Sequence, residues 1–162
     1  MDSGVTNYVE VARRSRSEVG REARRVSHYA LPISKLHQVP YRARLALKVK
    51  HITTCEQLLA SAGEARARAE LAKAAQLEPD VLDLLVRRAD MARVHGIGVV
   101  FGLMLEELGV VDVASIAASD PVDLHQRLRR YNAEERRARR SPTPEEVAAW
   151  VAEARSLPVL VT

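Results

Sequence analysis

The chain of 162 residues offers five histidines and one cysteine as its candidate metal ligands and nucleophiles. His28, His37, His51, His95 and His125 make no i, i+4 pattern with another His, Asp or Glu of the kind a metal site uses. A lone Cys55 allows neither an intrachain disulfide nor a multi-cysteine zinc site, and it reads as a buried apolar side chain. The spacing Gly96-x-Gly98-x-x-x-Gly102 could be mistaken for a dinucleotide-binding turn. That turn must follow a buried strand, whereas Arg87-Arg88-Ala89-Asp90 reads as polar helix. No Ser-His-Asp arrangement, phosphate-binding lysine loop or paired-carboxylate motif can be assembled. The chain therefore reads as non-enzymatic, with no cofactor and no metal.

Two features remain that could contact a ligand. The first is Val94-His95-Gly96-Ile97-Gly98-Val99-Val100, which resembles the apolar-x-Gly-apolar-Gly signature of a helix-hairpin-helix. Two helices must reverse within a few residues there, and glycine permits backbone angles closed to other residues. Ile97 would plug the turn into the core. The second helix would then present its first amides outward as an anion site, suited to a nucleic-acid phosphate without reading sequence. The second feature is the cluster Lys35, Arg42, Arg44, Lys48 and Lys50, because residues 31–60 carry five basic side chains against one acidic. Such a patch suits a polyanion such as DNA or RNA. The alternative is that the hairpins are structural turns or protein contacts, with Val99, Val100 and an N-terminal helix as apolar surfaces. Val99 and Val100 stand where phosphate-binding hairpins often place Lys or Arg. In the matching stretch around Val39, Gln38 and Pro40 replace both glycines.

A longer pattern runs from Ala89-Asp90-Met91-Ala92-Arg93-Val94-His95-Gly96-Ile97-Gly98 through Gly109-Val110 and Asp120-Pro121-x-x-Leu124. It continues through Asn132 to Pro144-x-x-Val147-x-x-Trp150. Over about residues 31–158 this order resembles a bacterial family called domain of unknown function 4332. The resemblance implies a tandem helix-hairpin-helix-like fold and implies no activity.

The elements that would position these residues are all helical. Residues 5–30 carry Val11, Ala12, Ser15, Val19, Ala23 and Val26 at three- and four-residue spacing, a narrow stripe of small side chains. This N-terminal helix should be a contact device. Further helices are expected from Ser34 to His37, Tyr41 to Val49, Thr53 to Gly63, Glu64 to Ala75 and Pro79 to Arg93. Others run from Val99 to Leu108, Asp112 to Ala118, Pro121 to Asn132 and Pro144 to Ser156. Thr53 with Glu56 and Thr143 with Glu146 have capping-box spacing. Trp150 belongs to the apolar face of the last helix. No segment alternates as a strand would.

Sliding the chain by 58 positions lays 36–60 on 94–118 without gaps. Twelve of these 25 pairs are apolar in both copies, against about six by chance. The expectation is an all-α fold of two helix-hairpin-helix-like units, about 31–90 and 91–158, sharing one core because neither is long enough for its own. Residues 1–30 form an added helix and 159–162 a tail. A hydrophobic fraction of 47% with seven glycines and seven prolines agrees with a helical globule. The net charge is +4. The N-terminus has no apolar leader, and no run approaches the length of a membrane span, so a cytoplasmic protein is expected.

Overall fold

The structure, a computed structural model, describes residues 31–162. The expected helix over 5–30 lies outside them. Among the described residues the chain is all-α. The helices are α1 (Tyr41–Val49), α2 (Cys55–Ala62), α3 (Ala65–Ala74), α4 (Pro79–Met91), α5 (Gly98–Glu107), α6 (Val113–Ala117), α7 (Pro121–Glu135) and α8 (Pro144–Ser156). A 3-10 turn at Ile33–Lys35 stands where the short helix from Ser34 was expected. Among the described residues no helix is long and apolar enough to cross a membrane.

Side-chain caps set four of the eight starts. Asp112, Asp120 and Thr143 each accept a hydrogen bond from the amide three residues on, satisfying a first-turn donor that has no partner within the helix. One cap is shifted from expectation. The box that starts α2 is Thr54 with Gln57, not Thr53 with Glu56. The reason is a tie to the incoming chain. The Ile33 amide donates to the Thr53 carbonyl at 2.9 Å, and the Cys55 amide donates to the Leu31 carbonyl at 2.8 Å. This bridge holds the segment extended through Thr54, so the helix begins one residue later.

The 58-residue offset is visible in the backbone. His51 and Gly109 both have left-handed φ, at 60° and 81°. Around them the same bonds recur: Lys50 to Leu47, His51 to Lys48 and Ile52 to Leu47, then Leu108 to Leu105, Gly109 to Glu106 and Val110 to Leu105. At the preceding turns the match is partial. Gln38 at φ 44° follows Gly96 at φ 80°, whereas Pro40 at φ −58° departs from Gly98 at φ 65°. Ile97 is buried, and Val39 is only half-buried.

The buried apolar side chains fall into two clusters rather than one shared core. The first draws on Ile33 to Ala89 and the second on Met91 to Ala154. Leu, Ile and Val fill both, and among the described residues Trp150 is the one large aromatic buried, in the second. In the first half α2 packs on α3 and α4. In the second, α8 packs on α6 and α7. So short a stretch sustains its own core because each cluster is covered on several sides by helices, and because the first borrows a residue from the far end of the chain. Val161 enters it, the Thr162 amide donates to the Gly63 carbonyl at 3.0 Å, and Arg68 Nη2 donates to the Thr162 carbonyl at 2.7 Å. The expected tail is thus a strap.

The halves are joined by the end of α4. Arg87 pairs with Asp83 and Asp112. Asp90, 2% exposed, accepts from Arg93 Nη1 at 2.7 Å and from the Val113 amide at 2.9 Å. Arg93 Nη2 in turn donates to the Pro158 carbonyl at 2.7 Å. A buried carboxylate is tolerated here because a buried guanidinium and a helix-start amide both answer it.

Candidate functional site

The glycine turn sits between the end of α4 and the start of α5. Gly96 and Gly98 are both left-handed, and a Cβ on Gly98 would meet nothing within 4 Å. These glycines serve the reversal itself rather than a close packing contact. Ile97 points into the second core at 4% exposure. Beneath the turn Trp150 and Phe101 pack with centroids 5.6 Å apart, and the Arg140 guanidinium lies 5.5 Å over the Phe101 ring. The turn is therefore held from below by an aromatic pair.

Above it the surface is apolar and partly acidic. Val99 and Val100 are 50% and 44% exposed. The helix start takes no side-chain cap, as at α1, α3 and α4 and unlike α2, α6, α7 and α8. One amide of the turn is already answered. Glu153 accepts from the His95 amide at 2.9 Å and meets His95 Nδ1 at 3.0 Å. α5 itself, Gly98–Glu107, carries no basic residue.

A cleft of about 410 Å³ opens between the two turns. Leu31, Lys35, Leu36 and His37 form one wall, and Val94 to Val99 with Gly102 and Leu103 form the other. Arg88 bridges the walls. Its Nη1 donates to the His37 carbonyl at 2.6 Å, and its Nε and Nη2 grip Glu106 at 3.0 and 2.8 Å. This pairing neutralises the guanidinium and the carboxylate together, leaving the cleft mainly apolar with Lys35 at its edge.

Of the residues that the sequence singles out, the cleft gathers Lys35, Gly96, Ile97, Gly98 and Val99. Val100 is exposed but does not line it. Arg42, Arg44, Lys48 and Lys50 are all exposed on or just after α1, and none lines the cleft. Arg88 is the residue that sequence reasoning passed over, and with it the pairing to Glu106. The stretch Arg87-Arg88-Ala89-Asp90 reads as a solvated polar face, yet all three of its charged residues make partner-specific bonds at the junction of the halves. The available signal was an arginine pair running straight into the glycine turn.

Cys55 lies in the first core, and burial pushes its thiol up to about 11, which makes it a poor nucleophile. Among the described residues no three His, Cys, Asp or Glu side chains are grouped to hold a metal ion. The arrangement presents an apolar cleft, a helix start without a side-chain cap and a separate cationic helix.

No curated protein and no solved structure matches this chain. The family model described as Domain of unknown function (DUF4332) matches residues 37–157. That span takes in both turns, the cleft's bridging pair and every helix from α1 to the last turn of α8, and the chain belongs to that family.

Proposed function

We propose that the protein is a non-enzymatic binding module that docks an apolar element of a protein partner in the cleft between its two turns. The observation that carries this reading is the exposure of Val99 and Val100 beside a cleft whose half-buried charge pair, Arg88–Glu106, is internally neutralised. An apolar rim with self-satisfied charges offers a partner burial of surface, the main driving force of protein association, and offers a phosphate little. The test is capture of partners on the immobilised chain after nuclease treatment, comparing wild type with Val99→Asp. A protein retained by wild type and lost from the variant is expected. Retention that nuclease abolishes would overturn the reading.

A second reading is sequence-independent contact with a DNA or RNA backbone. Two observations favour it: the uncapped start of α5, and the exposure of Lys35, Arg42, Arg44, Lys48 and Lys50. About two to four phosphates could be met, so log K should fall by about 0.9 per phosphate per log unit of salt. Arg42→Glu with Arg44→Glu should abolish binding to labelled duplex and single strands alike. No binding at about 100 μM protein in low salt would remove this reading.

A further inference from the structure

The helix α1 is apolar on two opposite faces. Ala43 and Leu47 are buried and hold it to the first core. Tyr41, Leu45 and Val49, at i, i+4 and i+8, fall within about 80° of one another on the other side. They are 65%, 40% and 76% exposed. A helix that needs only to cover a core carries polar residues there. Arg42 flanks the stripe on one side, and Arg44 and Lys48 flank it on the other. The Arg44 guanidinium lies 5.3 Å over the Tyr41 ring. Among the described residues Arg42, Arg44, Lys48 and Lys50 make no ion pair, and no acidic residue occurs from 31 to 55.

We infer that this face of α1 docks an acidic amphipathic helix from a partner protein. Charge complementarity selects the occupant. An apolar stripe between cationic flanks matches a helix whose apolar residues recur at three- and four-residue spacing between rows of Glu or Asp. A second copy of α1 would set like charges against each other. Residues 1–30, with six basic and four acidic side chains, are also net positive. A nucleic acid would use the cations and Tyr41 but would have no use for Leu45 and Val49. None of α1 lines the cleft, so this surface is separate from the one proposed above.

The probe is a labelled helical peptide of about 18 residues with leucines on one face and glutamates on both flanks, titrated with the full chain. A lysine-flanked peptide and a DNA duplex are the comparisons. The acidic peptide should bind, more weakly as salt rises, while the lysine peptide does not. Leu45→Ser with Val49→Ser, and Arg42→Glu with Arg44→Glu, should each weaken it by about tenfold or more. These positions are exposed, and an unchanged thermal midpoint verifies that the variants are folded. Val99→Ser should leave peptide binding unchanged, so failure at the cleft and failure here are distinguishable. No binding below about 1 mM would overturn the proposal. So would binding that both double variants leave intact, or a duplex that binds and displaces the peptide while ignoring Leu45 and Val49.

Discussion

Gly63 and Gly98 show two different reasons for a side chain to be absent. Gly98 is left-handed in open space, so Gly98→Ala should cost only the backbone penalty of about 1–2 kcal/mol. Gly63 has an ordinary helical φ of −65°, but a Cβ there would lie 2.3 Å from the Leu160 carbonyl oxygen and 2.6 Å from that of Leu59. Neither is the end of a flexible side chain. Gly63→Ala should therefore cost more, about 3 kcal/mol, and should loosen the C-terminal strap. Thermal unfolding of the two variants ranks them, and a milder Gly63→Ala would mean the strap yields easily. In the sequence Gly63 reads as a helix stop, which it is. Its second role could not be read there because the contact comes from a residue almost a hundred positions away.

Among the elements, α8 has a start that depends on the ionisation of Glu146. Glu146 accepts from Arg140 at 2.8 and 2.9 Å and from the Thr143 amide at 2.8 Å. The Arg140 bonds first, and the backbone bond second, hold its carboxyl down to about 2 from an ordinary 4.5. A lowered folded pKa means that the stabilisation is present above pH 4.5 and is lost as pH falls toward about 2. The exposure of the pair keeps the effect small. Glu146→Gln should retain much of the cap but lose the acid dependence, so its thermal midpoint should change less than wild type across that range. Equal acid sensitivity would assign the loss to other carboxylates. This cap was legible as Thr143-x-x-Glu146, because a capping box is a local pattern. So were the helices from α1 to α8, whose prolines, glycines and apolar spacing act over a few residues. The start of α2 was misplaced by one residue because the bridge to Leu31 and Ile33 lies outside any local window. The cleft was legible only in part. The glycine turn announces itself, whereas the Arg88 bridge to His37 and Glu106 requires knowing that the two turns face each other.

At the scale of the whole molecule, two cores replace the single one that the length suggested. Among the described residues each holds its own helices. Deleting residues 1–30 should therefore leave the helical signal and cooperative melting of the remainder intact. Loss of helical signal on circular dichroism would show that those residues complete a core. Removing residues 159–162 should do the opposite of what a tail removal does. Val161 leaves the first core and the Thr162 bonds to Gly63 and Arg68 go with it, a loss of about 2 kcal/mol or more read as a lower thermal midpoint.

The strap also orders events during synthesis. Chains emerge from the ribosome N-terminus first, and domains usually fold as they appear. Here α1 to α4 emerge early, but Val161, which completes their core, is made after all of α5 to α8. The second core, Met91 to Ala154, lacks no member by the time α8 has emerged. Of the two cores, the one begun first is thus finished last, with an opening around Gly63 and Leu59 until Val161 and Thr162 arrive.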